Sequence, residues 1–124
     1  MSRAHVLAAS MAVTFAVLRV YLHLSPNTDL DVGGYNIHHL FTGLVILTVG
    51  GVAAVVLPAA HPWSLAAVAV FGVGLSMALD EWVYLIVTDG TNQSYLLPVS
   101  FWGAVVAITL AVVYALVIGR SSRD

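Results

Sequence analysis

Four runs of apolar residues, each broken off by turn-forming residues, set the plan of this chain. They cover about residues 4–24, 35–57, 63–87 and 96–118. Within the runs, polar residues are few and do not alternate with apolar ones, so the period-two pattern of a membrane barrel is absent. A hydrocarbon layer ~30 Å thick is crossed by about 20 helical residues. In lipid, only a helix or a closed barrel satisfies its own backbone. The runs therefore predict four transmembrane helices in an all-α integral membrane bundle, a single transmembrane domain over residues 1–124. Ser25-Pro26-Asn27-Thr28-Asp29 ends the first helix, and Gly33-Gly34 precedes the second. Pro58 closes the second, Pro62 opens the third, and a polar stretch from Thr88 to Ser94 follows it. Pro98 suits the first turn of the fourth helix, where a missing N–H costs nothing. The first run reads as a retained helix: Arg19 interrupts it and no small-x-small cleavage site follows.

Composition sharpens this picture. Hydrophobic residues make up 60% of the chain and charged residues 8%, with a mean hydropathy of +0.98. A soluble domain carries about 25% charged residues, so the bilayer is the expected solvent and the cell membrane, with several passes, the expected location. Cysteine is absent, which excludes disulfides, thiolate metal sites and haem attached through Cys-x-x-Cys-His. A net charge of −2 and the lack of a basic patch give no sign of nucleic-acid binding. The expected partners are membrane lipids, with a second copy of the chain or another membrane protein as further candidates. Arg3 precedes the first helix and Arg120 and Arg123 follow the fourth, whereas Asp29, Asp31 and Asp89 fall in the first and third loops. The positive-inside rule then puts both termini in the cytoplasm and the first and third loops outside. The short second loop, with His61, falls inside.

The candidate chemistry lies in ionisable residues inside these apolar runs, each costing roughly 2.5–3.5 kcal/mol on insertion scales. Arg19 and His23 lie near the outer end of helix one, four apart, and Ala8, Ala12 and Ala16 continue their side inward as an expected packing stripe. In helix two, His39 shares a stripe with Gly43 and Gly50, which makes it the deeper residue, with His38 flanking. In helix three, Gly72, Ser76, Asp80 and Tyr84 recur every fourth residue, and Glu81 lies on the next face. Helix four offers Ser100, Ala104, Ala107 and Ala111. Counting turns places all six ionisable groups in the outer half, Arg19 and His39 ~7 Å and Asp80 ~12 Å from their helix ends. The inner half has little beyond Thr14, Thr48 and Thr109.

Several chemistries fit these residue types. His39, His23, Asp80 and Glu81 are the candidate ligands of a divalent metal such as Zn, Mn or Fe with an open position. A di-iron site is strongly disfavoured for want of Glu-x-x-His pairs and of enough carboxylates. Without metal, Asp80, Glu81, His38 and Arg19 are candidate catalytic residues. A histidine beside an acid can exchange protons, and a free arginine can hold a phosphate or carboxylate head group. A site in the outer half suits a lipid, an isoprenoid or another outer-side substrate. A b-type haem between His23 and His38 or His39 is a weaker reading. Ser100 lacks any partner that would make it a nucleophile.

Two readings involve no chemistry at a substrate. Arg19 can pair with Asp80 or Glu81 purely as a packing ion pair. Tyr21, Tyr35, Trp82, Tyr84, Tyr95 and Trp102 then form an outer aromatic belt and Trp63 an inner one. A proton or ion pathway is disfavoured by the apolar inner half.

The segments Tyr35-Asn36-Ile37-His38-His39-Leu40-Phe41-Thr42-Gly43 and Gly72-Val73-Gly74-Leu75-Ser76-Met77-Ala78-Leu79-Asp80-Glu81-Trp82 carry a family resemblance. The chain resembles uncharacterised small multispan integral membrane proteins of bacteria and archaea with His-His-x-x-x-Gly and Gly-x-Gly-Leu-x-x-x-Leu-Asp-Glu segments. The likeness covers helices two and three, about half the chain, and implies a membrane bundle without implying an activity. The motifs of small multidrug transporters and fluoride channels are absent from the sequence.

Overall fold

The structure is a computed structural model and describes residues 1–121. In chain order it contains α1 Arg3–Leu24, β1 Asp31–Val32, β2 Tyr35–Asn36, α2 His39–Val56, α3 Ser64–Val87, α4 Asn92–Tyr95 and α5 Pro98–Ser121. The four longer helices, α1, α2, α3 and α5, are each long and apolar enough to cross a membrane. Their exposed side chains explain why: Val45, Val49, Val52 and Val55 line the outside of α2, and Val13, Val17 and Val20 the outside of α1. A continuous apolar exterior of that kind is unstable in water and natural in lipid. Arg123, one of the orienting arginines, lies outside the described residues.

Two boundaries differ from the sequence expectation. The second helix begins at His39, four residues later than the apolar run. Gly33 (φ 60°) and Gly34 (φ 84°) both take the left-handed conformation, and they join Val32 to Tyr35 and Asp31 to Asn36 as an antiparallel hairpin. A two-residue turn with positive φ at both positions matches the twist of its strands, and glycine adopts it at no steric cost. Tyr35 and Asn36 therefore belong to a strand, and His38 becomes the residue that leads into α2. The second difference is α4, a single turn before Pro98. Thr91 accepts a hydrogen bond from Ser94 N while Ser94 Oγ accepts from Thr91 N, a reciprocal capping box.

Helix α3 is the centre of the bundle. Helices α1, α2 and α5 all pack on it, α1 also meets α5, and the backbone of α2 comes close to that of α3. Among the described residues α1 and α2 nowhere come within 8 Å of each other, Cα to Cα. The close approach of α2 to α3 follows from glycine. A Cβ at Gly43 would stand 2.7 Å from Met77 Cβ and 2.8 Å from the Gly74 carbonyl oxygen, and one at Gly74 would run into the Leu47 backbone. The expected stripes on these two helices are therefore the packed faces: Gly72, Ser76, Asp80 and Tyr84 are all buried, as are Gly43 and Gly50.

Helix α1 corrects its expected stripe. Ala12 and Ala16 are exposed, and the buried face instead carries Met11, with Ser10 seated against Gly72. The space for close packing is supplied by glycine on α3, so larger α1 side chains fill it. At the end away from the hairpin, the Arg3 guanidinium donates to the Ala54 carbonyl (2.7 Å) and bridges α1 to α2.

Candidate functional site

The hairpin-side ends of α1, α2 and α3 bring five of the six candidate residues together. Asp80 lies at the centre with a side chain that is 0% exposed. Its Oδ1 accepts from Arg19 Nε at 2.7 Å. Its Oδ2 faces His39 Nε2 at 2.9 Å and accepts a short hydrogen bond from the Tyr95 hydroxyl. The remaining Arg19 donors are also engaged, reaching the carbonyls of Asp80, Tyr95 and Ser100 at 3.2 Å and the Ser100 hydroxyl at 3.3–3.4 Å. The guanidinium carbon lies 4.1 Å from the Tyr95 ring centroid, a cation–π contact that adds to the ion pair. Arg19 is thus consumed within the bundle and has no donor left for a head group.

Glu81 solves a separate problem. Its Oε2 accepts from the Leu40 backbone N–H at 2.8 Å, at the N-terminus of α2. Four N–H groups at a helix start lack internal partners, and the helix dipole favours an anion there. This is possible only because α2 starts at His39 and because Gly43 and Gly74 let the two helices approach. Oε1 of Glu81 faces both His38 Nδ1 and His39 Nδ1 at 3.3 Å.

His39 therefore has a carboxylate at each ring nitrogen. Of the two contacts, Nε2 to Asp80 is a hydrogen bond at 2.9 Å, while Nδ1 to Glu81 is a longer approach at 3.3 Å. Every buried side-chain nitrogen and oxygen among the described residues has a hydrogen-bond partner.

Exposure rises outward through the cluster, from 0% at Asp80 and 5% at Glu81 to 17% at His39 and 22% at His38. The outward direction is a cavity of about 370 Å³ whose wall includes His38, His39, Glu81, Tyr84 and Tyr95. Leu18, Leu22, Ile37 and Met77 form its apolar part. Asp80 and Arg19 do not line it. Tyr84 and Tyr95 stand edge to face with each other and with His38 and His39 respectively, at centroid distances of 5.4–5.9 Å. Burial and the neighbouring Asp80 carboxylate push the Tyr95 phenol far up, so it stays a hydrogen-bond donor at physiological pH.

These positions separate the sequence candidates. His39, Asp80, Glu81, His38 and Arg19 form one connected cluster. His23 stands apart: it lines a different groove with Arg19, Val20, Leu24, Leu96 and Phe101. Its four-residue spacing from Arg19 did not bring it inward, because only the long Arg19 side chain reaches the core. His23 thus shares no cavity with His38 or His39 that would take a haem. Among the described residues no three His, Asp or Glu side chains are grouped to hold a metal ion. The carboxylate oxygens already serve Arg19, Tyr95, the histidines and Leu40. Tyr84 and Tyr95 leave the expected aromatic belt for the core, while Tyr21, Tyr35, Trp63, Trp82 and Trp102 are exposed as a belt requires. The sequence reading missed Tyr95 and Ser100 as partners of Arg19. The signal for them was the need of a buried guanidinium for more acceptors than one carboxylate supplies.

Fold and site together define a membrane-type helix bundle with a buried acid–imidazole–guanidinium cluster beside a cavity at the hairpin end. Comparison with protein-family models, with curated proteins and with solved structures finds no match.

Proposed function

We propose that this chain is a multipass membrane protein with both termini in the cytoplasm. Its outer-half cavity is a proton-exchanging site for a lipid-like or outer-side substrate. The observation that carries this reading is His39, held between two carboxylates and yet part of the cavity wall. Glu81 and His38 are the groups positioned to give or take a proton, because both line the cavity and share Glu81 Oε1. Asp80 and Arg19 are positioning residues. Asp80 fixes the ring plane of His39 and orients Tyr95, and Arg19 holds Asp80 in place without reaching the cavity.

The rival from a different class is a noncatalytic membrane protein whose charges only fix helix packing. It is favoured by the complete pairing of the cluster, since a network whose buried polar atoms are all hydrogen-bonded has no need of a ligand. Chemical modification separates the two. In the purified full chain, diethyl pyrocarbonate is expected to label His38 first and His39 more slowly. In parallel, Arg19→Met/Asp80→Leu replaces the most buried ion pair by apolar groups and leaves Glu81 with both histidines, which for a purely structural pair is neutral or stabilising. Unmodified His38 and His39 together with undiminished stability of the double variant would establish the packing role and end the proton-exchange reading.

A metal-using version has the least support, given how the carboxylate oxygens are engaged. Elemental analysis of the purified protein is expected to find no stoichiometric Zn, Mn or Fe, and finding one that His39→Ala removes would reverse this. A proton pathway is the third reading. Inward of Asp80 the buried polar side chains among the described residues are Ser64 and Ser76, whose hydroxyls donate to carbonyl oxygens of Ala59 and Met11. Two serines engaged with backbone are a poor relay across the inner half.

A further inference from the structure

The cavity wall also speaks to what it would take, an argument that rests on the site just proposed. Two carboxylates, Glu81 and Asp29, line the cavity, and neither Arg nor Lys does. Glu81 is offset by the histidines and by the Leu40 N–H. Asp29, at the hairpin end, is met by the neutral side-chain amides of Asn36 (2.9 Å) and Asn92 (3.1–3.2 Å) and by no ion-pair partner among the described residues. The same end carries Asp31 and Asp89, while Arg19, its one arginine, is spent on Asp80. The local field therefore favours a cation. Tyr21, half exposed, adds an aromatic ring to the wall, and ring faces attract quaternary and primary ammonium groups.

The shape supplies the second half of the argument. The cavity takes Leu18, Tyr21 and Leu22 from α1, His39 and Thr42 from α2, and Met77 and Glu81 from α3 behind them. It thus occupies the gap between two helices that nowhere approach within 8 Å. Asp29 ties the hairpin loop to α4 above it through Asn92, and Arg3 closes the far end of the gap on Ala54. Between those two ties the gap between α1 and α2 lies on the flank of the bundle, where in the proposed orientation the acyl chains of the outer leaflet would meet it.

We infer that the cavity admits, sideways from the outer leaflet, an amphiphile with a cationic amine or quaternary ammonium head group. The ammonium lies toward Asp29 and Glu81, and the tail leaves through the gap between α1 and α2. An anionic head group meets two carboxylates there and finds no guanidinium to receive it.

The test uses the full chain in dodecyl maltoside with 15N-labelled histidine, titrated with dodecyltrimethylammonium or with dodecyl phosphate. The His38 and His39 signals are expected to shift saturably with the ammonium amphiphile, at concentrations at least tenfold below any effect of the phosphate. Asp29→Asn is expected to raise the half-saturation concentration about two- to fivefold, the scale of one exposed charge pair. Thr42→Trp, which fills the cavity, is expected to abolish the shift. A response to dodecyl phosphate at equal or lower concentration overturns the cationic class while leaving the proton-exchanging site intact. Saturable ammonium shifts that survive Thr42→Trp show that the cavity is not where the amphiphile binds and overturn the inference. No saturable shift with either compound overturns the cavity as a binding site, and the proposed function with it.

Discussion

At the scale of single residues, the two acids of α3 are neighbours in sequence with different tasks. Asp80 is enclosed by Arg19, His39 and Tyr95, whereas Glu81 caps α2 and faces the cavity. Removing one partner of a buried ion pair leaves the other charge uncompensated, which costs about 3–5 kcal/mol. Asp80→Ala is therefore expected to destabilise the protein by that amount in denaturant unfolding in detergent micelles. His38→Ala, at the cavity wall, is expected to cost under about 1 kcal/mol, as exposed pairs do. Equal losses in the two variants would contradict the division of roles. Both acids and both histidines were legible in the sequence because an ionisable group in an apolar run stands out by its insertion cost. Tyr95 and Ser100 were not. A tyrosine or serine near a helix end has many ordinary reasons to be there, and only the folded chain shows the Arg19 donors converging on them.

Among the elements, the contact between α2 and α3 decides whether the site exists. Gly74 is buried under the Leu47 backbone, so a methyl group there must push the helices apart. Overpacking of this kind costs typically about 1–3 kcal/mol. Gly74→Ala is expected to show that loss and also faster diethyl pyrocarbonate labelling of His39, because Glu81 would leave the α2 N-terminus. Gly51→Ala is the control: its Cβ would meet only the Phe71 ring edge, at 3.1–3.3 Å. The small-residue stripes of α2 and α3 were legible because Gly43 and Gly50, and Gly72 and Ser76, fall on one side of a membrane helix, where small residues have few other uses. The start of α2 was not, since Tyr35 and Ile37 extend an apolar run that hydropathy cannot divide. What divides it is the conformation of Gly33 and Gly34. The turn before α4 makes a pH prediction. Hydrogen bonds from the Ser94 hydroxyl, then from Thr91, hold the exposed Asp89 carboxyl below the usual carboxylate range. A depressed folded pKa stabilises the turn above the unfolded value of about 3.9 and loses that contribution as the pH falls through the folded value. Amide exchange at Ser94 and Tyr95 is expected to accelerate below about pH 4, and Ser94→Ala to flatten that dependence.

For the whole molecule, the polar groups are gathered at one end, and which side of the membrane that end faces sets what the site can meet. The charge bias argues for outside: Arg3 and Arg120 lie at the opposite end from Asp29, Asp31 and Asp89. Inverted, the same cavity would open to the cytoplasmic leaflet, where anionic lipids dominate and the carboxylate-lined wall would repel most of its neighbours. Orientation and ligand chemistry are thus coupled, and the orientation can be measured because the chain has no cysteine to confuse labelling. Ser94 is a poor probe position, being buried and part of the α4 cap, but the adjacent Gln93 is exposed, as is Ala60 in the short loop between α2 and α3. Gln93→Cys in intact cells is expected to react with a membrane-impermeant maleimide, and Ala60→Cys only after the membrane is opened. The reverse pattern would turn the bundle over and remove the outer-leaflet amphiphile as its ligand. Labelling of both positions in intact cells would mean that the chain inserts in two orientations, in which case the three arginines do not suffice to orient it.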